Sequence, residues 1–138
     1  MEKKPKLLDK KKLIISCDSA INFKILDQAL KNVNDFESLT ENDMTKFLAR
    51  IFTFEPKLVI VAHENSQLSL KFVIHIRNNP SFSDLPIICI TDIPPKDGII
   101  SKLSGLVKKS VKDLKINYFS PPINNAELTK VIKQFLEN

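Results

Sequence analysis

The sequence predicts an α/β domain in which a doubly wound, five-stranded parallel sheet carries five helices on its two faces. Three observations support this. Short apolar runs alternate with stretches of helical periodicity five times along the chain. Parallel neighbours need a crossover connection, which the helical stretches supply. Two of the runs, in LVIVA (58–62) and PIICIT (86–91), are continuously apolar, as central strands covered on both faces are.

Residues 1–11, MEKKPKLLDKK, show no apolar periodicity and read as a basic solvated arm, which leaves 12–138 as the domain. LIISC (13–17) is the first strand. Asp18 or Ser19 can cap a helix with Ile21, Ile25, Leu26, Ala29 and Leu30 at helical spacing. FESL (36–39) is a weaker second strand, and Thr40 or Asn42 starts a helix with Met44, Phe47, Leu48, Ile51 and Phe52 on one face. LVIVA leads into a third helix from Gln67 to Asn79, which stops before Pro80. After PIICIT and Pro94-Pro95 comes a fourth helix with Ile99, Ile100, Leu103, Leu106, Val107 and Val111 inward. INYF (116–119) is the fifth strand. Asn124 and Glu127 have capping-box spacing for a last helix, whose stripe is Leu128, Val131, Ile132, Phe135 and Leu136.

At 138 residues, with 43% apolar and 27% charged residues, the chain fits one globular domain rather than a disordered one. Its apolar runs are too short for a membrane span and the N-terminus has no signal-peptide stretch, so a cytoplasmic location is expected. Cys17 and Cys89 sit in or at the ends of strand-like runs and read as buried thiols. The net charge of +5 is concentrated in two patches. The first twelve residues hold +4, and Lys102, Lys108, Lys109, Lys112 and Lys115 against Asp113 hold another +4.

Ligands of such sheets bind at the carboxyl ends of the strands, which directs attention to Cys17, Asp18, Ala62 to Glu64, Thr91, Asp92 and Ser120 to Pro122. KLIISCDSAI, PKLVIVAHE, IHIRNNPSFSDLPIICITD and NYFSPPINNAEL, in this order and spacing, resemble the receiver domains of two-component response regulators over residues 12–138. The resemblance implies a flavodoxin-like sheet in the order 2-1-3-4-5. It also implies a phosphoryl-accepting aspartate ending strand three, a Mg²⁺ held by an acidic pair, a lysine before a strand-five proline and a strand-four hydroxyl.

Carried over residue by residue, the acceptor falls on Ala62, the lysine on Pro121 and the first acid on Cys17. Asp18, Thr91 and the coupled aromatic Tyr118 are retained. An alanine methyl has no lone pair to accept a phosphoryl group, and Glu64 lies two positions beyond the acceptor. The expectation is a pseudo-receiver: a phosphorylation-independent signalling domain and not an enzyme. It would use no cofactor, bind Mg²⁺ weakly or not at all, and have Asp18 as its one weak metal candidate.

Blander roles are open for each of these residues. Asp18 can simply cap a helix, or bind a metal with Glu64 as second carboxylate. His63 reads as an exposed loop residue, with phosphoryl acceptance the alternative, and His75 as a surface residue. Thr91 and Tyr118 are ordinary strand choices as well as a possible switch. A redox role for Cys17 would need a lowered thiol pKa, which the charge of Asp18 opposes. A Cys17–Cys89 disulfide would have to span an intervening strand, about 9 to 10 Å, beyond the reach of about 7 Å.

From Thr91 to Pro121 is 30 positions, longer than the family spacing by about two helical turns. The surplus falls in the lysine-rich fourth helix, so a protein partner is expected on the face formed by helix 4, strand 5 and helix 5. Tyr118, Lys102, Lys108, Lys109 and Lys112 would lie at or near that interface. An output domain in a longer chain and a homodimer partner both fit. The alternatives are nucleic-acid or anionic-surface binding through the lysine clusters, and a small-molecule sensor in the altered pocket. The first is weakened by the lack of a helix-turn-helix pattern, an arginine cluster or an aromatic stacking platform.

Overall fold

The computed structural model describes residues 11–91, 105 and 115–137. Most of the predicted arm, Asp92, most of the predicted fourth helix and its lysines Lys102, Lys108, Lys109 and Lys112 lie outside the described residues. In chain order the elements are β1 (Lys11–Cys17), α1 (Ala20–Leu30), β2 (Phe36–Thr40), α2 (Met44–Phe54), β3 (Leu58–Ala62) and α3 (Ser66–Arg77). A short 3-10 helix (Pro80–Phe82), β4 (Ile87–Ile90), β5 (Ile116–Phe119) and α4 (Asn125–Leu136) follow; α4 is the fifth helix of the sequence reading. The five strands pair in parallel in the order β2-β1-β3-β4-β5, as expected.

Alternation along the strands divides the interior into two cores. Leu13, Ile15 and Cys17 of β1, Leu58, Ile60 and Ala62 of β3, and Ile88 and Ile90 of β4 pack with Leu26 and Ala29 of α1 and Leu128, Ile132 and Leu136 of α4. Ile14 of β1, Val59 and Val61 of β3, and Ile87 of β4 face the other way. They meet Phe47 and Ile51 of α2 and Phe72, Val73 and Ile76 of α3. Every residue of β3 is fully buried, and each large aliphatic side chain among them stabilises the fold by about 1.5–3 kcal/mol through removal from water. Phe47 and Phe72 cross edge to face at 5.4 Å in the second core.

Several boundaries and roles differ from the sequence reading. β1 begins at Lys11, inside the predicted arm, because backbone pairing of Lys11 with Phe36 and Lys12 with Glu37 carries the strand past its apolar run. The N-cap of α1 is Ser19, whose hydroxyl accepts the Asn22 N–H; Asp18 does not cap it. The N-cap of α2 is Asp43, not Thr40 or Asn42. α3 is capped by Asn65, which accepts from Gln67 N and Leu68 N, and ends at Arg77, two residues before the predicted Asn79. Asn124 caps α4 as predicted, accepting from Glu127 N. Ile21 and Phe52, placed inward by periodicity, are 68% and 53% exposed. Asn22 is buried instead, where its amide can donate to a backbone carbonyl of the sheet.

Candidate functional site

The carboxyl ends of β1 and β3 lie side by side, with Cys17 the register partner of Ala62. Both are fully buried and both side chains belong to the core under α1 and α4. The Ala62 methyl therefore faces packed side chains, and Asn22 Nδ2 donates to the Ala62 carbonyl at 3.3 Å from α1. The Cys17 thiol lies 3.5 Å from the Ser19 carbonyl. Burial raises its pKa, the hydrogen bond to Ser19 opposes this, and the nearby Asp18 charge adds to the rise. A buried thiol held protonated is unsuited to redox sensing. Cys17 and Cys89 are both free.

Asp18 and Glu64 do come together, though not as a carboxylate pair. Asp18 Oδ1 accepts the Glu64 backbone N–H at 3.2 Å, which ties the turn after β1 to the turn after β3. Glu64 itself is exposed. Among the described residues no group of three or more His, Cys, Asp or Glu side chains is arranged to hold a metal ion.

Thr91 follows Ile90, the register partner of Ala62 on β4. It is buried, and its N–H donates to the Phe119 carbonyl at 3.0 Å, joining the ends of β4 and β5. Tyr118 is the register partner of Cys89. Its hydroxyl is buried without a hydrogen-bond partner among the described residues. Burial and the neighbouring Cys89 push its pKa up to about 12, against the opposing charge of Arg77. Pro121 follows β5 in a cis Pro121–Pro122 peptide.

The polar cluster at this end is one that sequence reasoning missed. Ser16 and His63 sit one residue from Cys17 and Ala62, so alternation turns them toward the α2–α3 side. His63 is not an exposed loop histidine: it is 1% exposed, because strand alternation carries it beneath α3, with its ring 4.8 Å edge-on from Phe72. Its Nε2 lies 2.7 Å from Ser16 Oγ. The Ser16 hydroxyl donates to Asn42 Oδ1 at 3.2 Å, and that oxygen also accepts the Cys17 N–H at 2.8 Å. Asn42 Nδ2 donates to the Cys17 carbonyl at 2.9 Å. The one available signal was Ser16, a polar residue inside an otherwise buried strand. By contrast His75 is exposed, as expected.

A groove of ≈ 500 Å³ lies elsewhere, at the amino-terminal end of the sheet, where Ile51, Phe52, Pro56, Phe82 and Leu85 contribute to its lining. No helix among the described residues is long and apolar enough to cross a membrane.

Neither family models nor curated protein sequences give a match. Solved structures do. The chemotaxis protein CheY4 of Vibrio cholerae superposes with a TM-score of 0.66 at 18% identity, over 92% of this chain and 99% of that one. The signal receiver domain of an HD domain-containing protein from Pseudomonas fluorescens Pf-5 gives 0.66 at 20% identity, over 93% and 95%. The phosphorylated cyanobacterial phytochrome response regulator RcpA gives 0.64 at 17% identity, over 94% and 95%. With its parallel sheet in the order 2-1-3-4-5 and these neighbours, the chain has the fold of the receiver domains of response regulators.

Proposed function

We propose that this receiver-fold domain signals through protein–protein contact without aspartyl phosphorylation. The observation that carries this reading is Ala62: it ends β3 with a fully buried methyl, at the position the receiver resemblance assigns to the phosphoryl acceptor. Among the described residues, the carboxylates of the adjoining turns do not substitute for it. Asp18 accepts a backbone N–H, and Glu64 is exposed beyond the strand end. The donor set does not fit the implied Mg²⁺ either, since that cation seeks carboxylate and other oxygens, whereas a buried thiol and a methyl stand beside Asp18. Pro121 supplies no ammonium group to neutralise a phosphoryl anion.

Without a covalent input at this end, the output face is what the fold has left to offer. In this reading the partner meets the face built by the predicted fourth helix, β5 and α4, with Tyr118 at its edge and the helix-four lysines supplying charge. Amide NMR spectra with and without Mg²⁺ and beryllofluoride test the proposal. Unchanged resonances for Asp18, Thr91 and Tyr118 are expected. Saturable shifts that reach Tyr118 would overturn it.

A further inference from the structure

We propose that His63 is a proton-operated latch on the carboxyl ends of β1 and β3, closed while its ring is neutral and released when Nδ1 takes a proton. The polar contacts favour one neutral tautomer, since a buried Nδ1 without a partner costs less as a lone pair than as an N–H. Because the Ser16 hydroxyl donates to Asn42 Oδ1, Ser16 Oγ is left to accept, so His63 Nε2 carries the hydrogen. A relay of donors then runs from His63 through Ser16 to Asn42, and Asn42 holds the Cys17 peptide on both sides. Nδ1 is left as a bare lone pair, buried and without a hydrogen-bond partner among the described residues.

A bare lone pair costs little in an apolar setting compared with what protonation would place there. Taking a proton from solvent creates an N–H without an acceptor and a positive charge in a site 1% exposed. The surroundings offer little to stabilise that charge. β1 presents Ser16, the turn before α2 presents Asn42, and α3 presents Phe72, all uncharged. α3 also starts three residues on, and its N-terminal dipole opposes a cation. Among the described residues, Asp18, in the turn after β1, is the charge that favours protonation; Glu64, next in the chain, is exposed.

Burial outweighs Asp18, so the folded imidazole titrates below its ordinary value of 6.5. The unfolded chain therefore takes the proton first. The stability that His63 contributes is complete above pH 6.5 and falls as the pH drops below it. Relief comes if the ring leaves its site, which breaks the Ser16 bond and moves the Ala62–Glu64 segment, releasing Glu64 N from Asp18. Opening this end as the input to a signalling module rests on the function proposed above. The latch itself rests on the geometry, so the two stand or fall on different measurements.

The test follows the His63 ring nitrogens by proton–nitrogen correlation NMR, and amide protection at residues 62–64 and at Cys17, between about pH 7.5 and about pH 5. The expected result is a neutral ring protonated at Nε2 that titrates below 6.5, with local protection falling about tenfold as it does so while β4 and β5 stay protected. His63→Phe, which keeps the aromatic contact and leaves Ser16 bonded to Asn42, should make that protection independent of pH; His63→Gln is the second variant if the first does not fold. A ring protonated at Nδ1 when neutral, titration at or above 6.5, or protection lost uniformly through all strands would overturn the latch.

Discussion

Asn42 grips the peptide of Cys17 from both sides, its Oδ1 accepting the Cys17 N–H at 2.8 Å while its Nδ2 donates to the Cys17 carbonyl at 2.9 Å. The end of β1 is thus completed by a side chain from the turn before α2, where β2 no longer reaches. Asn42→Ala should cost about 1–2 kcal/mol, a net hydrogen bond or two, since its exposed position lets water replace part of what is lost. Urea denaturation measures this, and a loss below about 0.5 kcal/mol would mean that water replaces the clamp in full.

Restoring an aspartate at position 62 should not restore a receiver. The Ala62 side chain is fully buried among Cys17, Ile90 and other apolar groups, so a carboxyl group there must desolvate or push the strand end apart. Ala62→Asp should lose about 3 kcal/mol or more and give no phosphoryl adduct in intact-mass spectra after treatment with acetyl phosphate and Mg²⁺. A stable variant that takes up a phosphoryl group would show that this strand end is open to solvent.

Arg77 is a charged residue only 3% exposed, used as a structural cross-tie. Nη1 donates to the Phe82 carbonyl at 2.8 Å, and Nη2 to the Lys115 carbonyl at 3.3 Å. Burial lowers its pKa to about 10 despite Asp84 and Tyr118 nearby. Arg77→Met keeps much of the packing but removes the guanidinium bonds to two carbonyls, one ending the 3-10 helix and one just before β5, which keep only their backbone donors Leu85 N and Ile87 N. An expected loss of about 2–4 kcal/mol is checked by thermal and urea unfolding.

At alkaline pH, Cys89 and Tyr118 should work together. Burial pushes the Cys89 thiol up to about 12, against the opposing influence of the nearby Ser69 hydroxyl, and raises Tyr118 to about 12 as well. The native state then keeps protons that the unfolded chain releases from its ordinary values of 9.0 and 10.0. The contribution of these two groups should be complete below pH 9.0 and decline as pH rises toward about 12. Native protein at pH 8 should also leave both thiols unreactive toward a disulfide reagent until denatured; rapid labelling would contradict their burial.

Much of the fold was legible because the strands obey a simple code. LVIVA and the IICI of PIICIT are apolar throughout, and both emerged as central strands. The stripe of α4 placed Leu128, Ile132 and Leu136 in the core with its cap at Asn124. Helix starts were harder, since Asp18, Ser19, Asn42 and Asp43 are all good caps and only the local backbone decides among them. The polar cluster was legible least. Whether His63 is buried depends on which face the residue after a strand adopts, and on a ring contact with Phe72 nine positions along. Neither is visible in local periodicity.

Thr129 of α4 donates its hydroxyl to the Ala29 carbonyl across 100 positions of chain, and Asn125 donates to Gln28 across 97. The first helix is therefore fastened by the last. During synthesis, Leu13, Ile15, Leu58 and Ile60 emerge from the ribosome long before Leu128, Ile132 and Leu136 arrive to cover them. Until then the part of this face that α1 does not cover stays wet and adhesive, and this half of the domain is completed only by a long-range contact made late.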